Sequence, residues 1–159
     1  DRGFSIRYGW AVMTYNIVRI PKTEESLAAT IEELAPFIEA MYTEDDVRIH
    51  GPFKFDMGQW LFLWDSGAAF FLTSRDAAGK LIAAAVCTRF RELWSGKLRV
   101  ELHRFAFDLP DIDYAPTEID NMVNYLIGVE SILEFDELYV IKRTSDFNEV
   151  KELAWHKAM

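Results

Sequence analysis

Three residues on predicted strands carry side chains that could transfer a proton, namely Glu101, His103 and Tyr139. Carboxylates, imidazoles and phenols are among the groups that enzymes use as general acids and bases. Glu101 and His103 flank a predicted irregularity in one strand, and such irregularities often re-aim side chains at a site. Each residue also has a structural interpretation: a solvent-facing carboxylate, a half-buried histidine and a packing tyrosine. The structural interpretation is the commoner one for unpatterned polar residues in strands.

The irregularity is a change of parity in the apolar pattern. Apolar residues recur at every second position in two sets, which are Leu98, Val100 and Leu102, then Phe105, Phe107 and Leu109. The two sets have opposite parity, and a strand with one buried face can change parity only by inserting an extra residue. The sequence therefore predicts one strand over residues 98–109 with a β-bulge at His103–Arg104.

The other elements follow from periodicity, caps and turn residues. The pattern predicts strands over residues 17–20, 70–74, 81–88 and 138–142. It predicts helices after Thr23 (kinked or divided at Pro36), over 53–65, over 117–134 with Thr117 as cap, and after Asp146. The helix before residue 138 implies parallel pairing with the bulged strand. The fold class is α/β or α+β, a mixed and mostly antiparallel sheet with flanking helices in the order β-α-α-β-β-β-α-β-α.

This element order resembles that of the GNAT acyltransferase superfamily, and the likeness covers residues 15–159. The hairpin over residues 70–86 looks like the second and third strands of that family. The bulged strand looks like its fourth strand, where family members carry a bulge. The resemblance implies that the bulge splays the fourth strand from the fifth and that acyl-CoA lies in the gap. It also implies a general base near the bulge, with Glu101 and His103 as candidates and Tyr139 on the fifth strand.

The loop after the bulged strand departs from the family's motif. In the family this loop is basic and glycine-rich, and its amides hold the CoA pyrophosphate together with a helix N-terminus. Here residues 110–116 read Pro-Asp-Ile-Asp-Tyr-Ala-Pro, with no glycine and two prolines that lack an N–H. The Asp111 and Asp113 carboxylates would repel phosphates. We therefore expect no cofactor, with acetyl-CoA as the donor only if the chain is an active acyltransferase.

Acidic residues dominate the stretch from residue 105 to 141, which contains no Lys or Arg. Its nine acids equal the net charge of −9, which disfavours a nucleic acid or an anionic membrane as partner. A surface of this sign would steer a basic protein partner instead. We expect the partner-binding residues to be Asp108, Asp111, Asp113, Asp136 and Glu137, in one contiguous patch. The alternative is two patches, since the ends of an eighteen-residue helix lie about 27 Å apart.

Three functions remain open from these observations. The main hypothesis is a non-catalytic, acidic GNAT-like protein that binds a basic protein, by analogy one encoded by a phage or mobile element. The alternative is an N-acyltransferase that moves an acyl group from acyl-CoA to an amine. In the third, the negative charge serves solubility alone.

Few residues remain for other chemistry. The three histidines lack partners at metal-ligand spacing, so we expect no metal site. The single cysteine, Cys87, excludes an internal disulfide and is typical of a reducing compartment. No apolar run is long enough to span a membrane, and we expect a cytoplasmic protein.

The first twelve residues differ from the rest because they lack clear periodicity. We interpret residues 1–12 as an N-terminal extension, either foreign to the natural protein or an ordinary arm. Residues 13–159 then form a single GNAT-like domain.

Overall fold

The computed structural model describes residues 4–8, 11–143 and 148–158. Within those ranges it contains one sheet of seven strands, arranged in the same order across the sheet as along the chain. The strands are β1 (Phe4–Tyr8), β2 (Ala11–Val18), β3 (Ala69–Arg75), β4 (Leu81–Arg91), β5 (Leu98–Phe107), β6 (Glu137–Arg143) and β7 (Glu149–His156). Every neighbouring pair is antiparallel except β5 and β6, which are parallel. The predicted mixed, mostly antiparallel sheet is confirmed.

Helices cover both faces of this sheet. They are α1 (Glu24–Met41), α2 (Glu44–His50), α3 (Met57–Asp65), α4 (Ala115–Gly128) and α5 (Glu130–Leu133), with a short 3-10 helix at Ile112–Tyr114 before α4. From α3, Trp60 packs on Phe71 of β3 with ring centroids 4.5 Å apart. On the opposite face, Tyr125 of α4 stacks on Tyr15 of β2 at 6.0 Å. β3 is therefore enclosed between two helical layers, and its residues from Ala69 to Ser74 are all buried.

One predicted helix start is confirmed, that of α1, whereas α3 begins at Met57 rather than at residue 53, and α2 was not predicted. The Thr23 side chain accepts a hydrogen bond from the Ser26 amide at 3.1 Å and begins α1. Pro36 lies inside α1 without dividing it. α4 begins at Ala115 rather than after Thr117, because Pro116 suits the first helical turn, where no N–H is needed. α4 ends at Gly128, so the single helix predicted over residues 117–134 is two helices.

The C-terminal element is a strand, and the predicted final helix is wrong. β7 pairs antiparallel with β6, and Lys142 of β6 forms an ion pair with Glu152 of β7 at 3.2 Å. The Trp155 ring packs edge-on against Phe135 at 5.4 Å. The unpaired edge of β6 outweighed a local helix signal, since tertiary pairing often overrides propensity. Asp146, the predicted cap, lies outside the described residues.

The N-terminal strands were not predicted. β1 pairs with β2 from Phe4 opposite Tyr15 to Tyr8 opposite Ala11, and β2 covers residues 11–18 rather than 17–20. Residues 4–8 and 11–12 thus belong to the sheet, and the interpretation of residues 1–12 as an extension stays a prediction. Among the described helices, none is long and apolar enough to cross a membrane.

Candidate functional site

A bulge interrupts β5 one residue beyond the predicted position at His103–Arg104. Val86 of β4 pairs with His103, and Ala84 pairs with Ala106. One residue of β4 therefore faces two residues of β5, Arg104 and Phe105, which defines a β-bulge. Arg104 has a φ of 58°, a left-handed conformation that a non-glycine residue adopts only where its surroundings hold it. The predicted bulge near His103 is confirmed.

β5 and β6 separate where the bulge begins. Their parallel pairing runs from Arg99 opposite Glu137 to Leu102 opposite Val140 and stops there. Both strands continue beyond that point, β5 to Phe107 and β6 to Arg143. Past the last pair, the backbone groups of β5 that face β6 have no partner from that strand. This opening is the gap that the family resemblance implies.

A cavity of about 370 Å³ occupies the opening, a size within the usual range for small-molecule pockets. Its walls come from the bulge, from the end of β6, and from the α1–α2 junction and the first turns of α4. The lining residues are Met41, Thr43, His103, Arg104, Phe105, Ile119, Ile141, Lys142, Arg143 and Glu149.

His103 presents the clearest acid–base group in this cavity. Its ring is half-buried and makes no hydrogen bond to any described residue. Burial lowers the pKa of His103 below its usual value, and the nearby Arg104 charge lowers it further. The imidazole is therefore mostly neutral at pH 7 and free to accept a proton from a bound molecule.

A buried carboxylate joins the two separated strands at the rim of the cavity. Asp46, in the first turn of α2, accepts hydrogen bonds from Arg104 Nη1 at 2.5 Å and Arg143 Nη2 at 2.9 Å. It also closes a capping box with Thr43, whose amide donates at 2.8 Å. We call Asp46, Arg104 and Arg143 the Asp46 clasp. Burial opposes ionisation of Asp46, but the hydrogen bonds from Arg104, Arg143 and Thr43 outweigh it and hold its pKa well below the usual range.

The sequence pattern missed the Asp46 clasp. In the sequence, the three acids at residues 44–46 are unfavourable at the C-terminal end of a helix, whereas Thr43 and Asp46 have the spacing of a helix start. The partners of Asp46 lie 58 and 97 residues away, and no local signal connects them.

Glu101 and Tyr139 lie side by side, but outside the cavity lining. They are direct partners in the closed part of the β5–β6 ladder. The Glu101 side chain is buried and forms ion pairs with Lys151 at 3.1 Å and Arg99 at 3.5 Å. The Arg99 guanidinium lies over the Tyr139 ring, 4.2 Å from its centroid. Of the three predicted catalytic residues, only His103 lines the opening.

The predicted acidic patch divides into two groups at opposite ends of β5. Asp108, Asp111 and Asp113 follow its last residue, whereas Glu137 pairs with Arg99 near its first. Ten residues of strand separate the groups by roughly 33 Å. The prediction of one contiguous patch is therefore corrected, because the crossover through α4 returns the chain to the start of the neighbouring strand.

Several of these acids already have partners within the chain. Asp136 accepts a hydrogen bond from the Leu98 amide at 2.9 Å, and Glu137 accepts one from Arg99 Nε at 2.9 Å. Asp108 lies 3.3 Å from Lys80 in an exposed ion pair. Asp111 accepts from the Asp113 amide at 3.0 Å. The carboxylates of the 108–113 group are the more exposed ones.

The same loop offers a poor cradle for a diphosphate. The Asp113 amide is used by the Asp111 carboxylate, and Pro116 in the first turn of α4 has no N–H to donate. Anion sites at helix N-termini depend on such donors. The opening between β5 and β6 has room for the extended pantetheine chain of CoA. The loop at residues 110–116 does not fit the pyrophosphate of CoA.

The chain has a GNAT-like fold, as comparison with solved structures shows. It is similar to an aminoglycoside acetyltransferase from an uncultured soil metagenomic sample, at 10% identity and a TM-score of 0.56 over 85% of this chain and 83% of that one. It is also similar to a ribosomal-protein-alanine N-acetyltransferase from Brucella melitensis (13% identity, TM-score 0.52, 84% and 82% covered). A GNAT-family acetyltransferase from Listeria monocytogenes matches at 14% identity and a TM-score of 0.52, with 90% and 84% covered. No protein-family model and no curated protein matches the sequence.

Proposed function

We propose that this protein is an N-acyltransferase that moves an acyl group from a thioester donor to an amine. The amine nitrogen forms an amide bond with the acyl carbon, the C–S bond breaks, and the sulfur leaves as a thiol that takes up the proton lost by the amine. The observation that carries the proposal is the early end of the β5–β6 ladder, which leaves a cavity with a neutral histidine on its wall. The fold similarity to acetyltransferases supports the same class of reaction, and it is the alternative hypothesis of the sequence rather than the main one.

In this proposal His103 acts as the general base. An amine acceptor is mostly protonated near neutral pH and must lose a proton to become a nucleophile. The imidazole faces the cavity without a hydrogen-bond partner among the described residues, so its lone pair is available to take that proton. Glu101 and Tyr139 have a supporting role, since their ion-pair and ring contacts with Arg99 hold the closed part of the ladder beside the opening.

The diphosphate of acyl-CoA should contribute little to the binding affinity of the donor for this protein. The opening accommodates the acyl end of the donor, while the loop at residues 110–116 has no Lys or Arg, two prolines without an N–H, and an Asp113 amide already bonded to the Asp111 carboxylate. We therefore expect a truncated thioester, S-acetylpantetheine, to bind about as well as acetyl-CoA.

The test measures acetyl transfer by mass spectrometry with both thioesters. The acceptors are an aminoglycoside, a peptide with an N-terminal alanine and a polyamine, the first two being suggested by the similar structures. His103→Gln should lower kcat/KM by roughly 100-fold or more, as expected for loss of a general base. The matched control is His156→Gln, which removes an exposed histidine outside the cavity.

Two results would contradict the proposal. One is the absence of both thioester binding and product at millimolar donor concentration. The other is equal activity of His103→Gln and His156→Gln, which would show that His103 is not the general base.

A second candidate function is binding of a basic protein through the exposed end of the loop. Asp111 and Asp113 flank Ile112, whose side chain is 63% exposed, and an exposed apolar residue between two acids suits a basic partner with an apolar contact. Asp111→Asn with Asp113→Asn should weaken such binding and reduce its salt dependence. Unchanged binding by this variant would exclude the loop as the interface.

A further inference from the structure

A second cavity, of about 480 Å³, lies at the opposite end of the sheet from the β5–β6 opening. It is enclosed by the end of β2 and the residues after it, by the C-terminal turn of α3, and by α5. Phe70 at the start of β3 and Arg89 near the end of β4 complete its wall. The acyl-transfer proposal makes no use of this cavity.

Three cations line this cavity: Arg19, Lys22 and Arg89. None of them forms an ion pair with a described residue, although the chain carries 26 acidic residues against 17 basic ones. In so acidic a protein, an arginine left without a carboxylate partner and facing a cavity indicates a place for an external anion.

Arg89 is the cation that the structure orients. Its side chain is half-buried, and its Nε donates to the Leu133 carbonyl oxygen at 2.8 Å. Its two Nη groups make no hydrogen bond to a described residue. A guanidinium held through Nε keeps its terminal N–H groups in a planar fork, which matches the oxygens of a carboxylate or phosphate.

The rest of the wall is largely apolar and partly rigid. Trp64 is buried, and its indole Nε1 donates to the Val18 carbonyl oxygen at 2.9 Å, which holds the ring in place. Ile17, Phe70 and Leu133 extend this apolar surface. Two carboxylates, Asp65 and Glu134, also lie on the wall, but both residues are exposed, as are Arg19 and Lys22. Of the five charged residues that line the cavity, Arg89 is therefore the one whose charged group is half-buried.

We propose that this cavity is a binding site for a small amphipathic anion. Its carboxylate or phosphate head pairs with the Arg89 Nη groups, with Arg19 and Lys22 adding positive charge at the rim. Its short apolar chain lies against Trp64 and Phe70. The site is independent of acyl transfer in the β5–β6 opening.

The experiment titrates 15N-labelled protein with octanoate and octyl phosphate and follows side-chain N–H signals by NMR. Saturable shifts are expected for the Trp64 indole and the Arg89 Nε–H. The Trp94 indole serves as an internal control, because that side chain is 91% exposed on the β4–β5 hairpin, away from the cavity. Octanol and octylamine, which have the same chain without an anionic head, should bind at least about tenfold more weakly.

Variants identify the cation that binds the head. Arg89→Gln should weaken octanoate binding by about tenfold or more, since a charge-assisted hydrogen bond is lost. Arg91→Gln is the matched control, with the same charge change two residues along β4 and outside the cavity lining. If Arg89→Gln disturbs folding, Arg19→Gln with Lys22→Gln removes two exposed cations and should still weaken binding measurably.

Each head group has a distinct outcome. Tighter binding of octyl phosphate or of octanoate identifies phosphate or carboxylate as the preferred head, and either result supports the proposal. Equal binding of octanol and octanoate would overturn it, as would equal affinities of Arg89→Gln and Arg91→Gln. Absence of any saturable shift up to 10 mM ligand, which places Kd above about 10 mM, would also overturn it.

Discussion

Removal of the Asp46 charge should destabilise the protein more than any other single neutralisation on α2. The Asp46 side chain is 2% exposed, and its carboxylate accepts hydrogen bonds from two arginines that come from the separated strands β5 and β6. Asp46→Asn keeps the size of the side chain but leaves Arg104 without a carboxylate partner among the described residues. Arg143 then keeps only its longer ion pair, at 3.6 Å, with the exposed Glu149.

The size of the expected loss in the free energy of unfolding follows from how deeply Asp46, Arg104 and Arg143 are buried. Leaving one side of a fully buried ion pair without its partner costs about 3–5 kcal/mol. The Arg104 and Arg143 side chains are 31% and 27% exposed, so water screens part of that loss. Asparagine also retains one acceptor oxygen. We expect a loss of about 2–3 kcal/mol in the free energy of unfolding at pH 7, or a fall in Tm of roughly 4–12 °C.

The effect should depend on pH with a definite sign. Because the folded-state pKa of Asp46 lies below its ordinary value of 3.8, the ionised carboxylate stabilises the folded protein above that pH. This contribution is lost as the pH falls below the ordinary value toward the folded-state pKa. The difference between wild type and Asp46→Asn should therefore be constant from pH 7 to pH 5 and shrink below about pH 4.

Urea unfolding at several pH values, followed by circular dichroism, measures this difference. Asp45→Asn is the matched control, because Asp45 adjoins Asp46 on α2 and, among the described residues, its one ion pair is with the exposed Arg48 at 3.8 Å. That control should change stability by less than about 0.5 kcal/mol. A cost for Asp46→Asn no larger than that of Asp45→Asn would refute the assignment of the Asp46 clasp as a structural charge cluster.

Three further predictions concern buried and exposed side chains. Burial raises the pKa of the fully buried Glu118, so wild-type stability should decline as the pH rises above about 4.5. Urea unfolding at pH 5 and pH 8 should show the stability of Glu118→Gln increasing relative to that of wild type at the higher pH. Burial also raises the pKa of the Cys87 thiol, so mass spectrometry should find no alkylation by iodoacetamide in the native protein at pH 8 and complete alkylation in urea. Trp94→Ala should change the free energy of unfolding by less than about 0.5 kcal/mol by urea titration, because that side chain is 91% exposed.

The sequence by itself contained the features that depend on neighbours along the chain. A bulge at His103–Arg104 was predicted from the parity of six apolar residues, since alternation in a strand has a period of two and cannot shift without an extra residue. The structure places it one residue later, at Arg104–Phe105. The parallel pairing of β5 and β6 was predicted from the helix between them, because parallel neighbours need a crossover. Together these two features define the opening that holds His103.

Only the tertiary structure decided the features that depend on distant partners. A capping signal after residue 145 favoured a helix, but the free edge of β6 offered a full ladder of hydrogen bonds, and the segment became β7. A run of acids without intervening basic residues favoured one charged patch, but the crossover placed the five predicted partner-binding acids in two groups at the two ends of β5, where Lys80 approaches Asp108 and Arg99 approaches Glu137. Asp46 reads in sequence as one acid in a run of three, and it becomes a buried link between two strands only when Arg104 and Arg143 reach it. Local sequence patterns determine the apolar periodicity of an element and the positions of turns. The partner of a charged group or of a strand edge depends instead on which distant segment the fold brings within hydrogen-bonding distance.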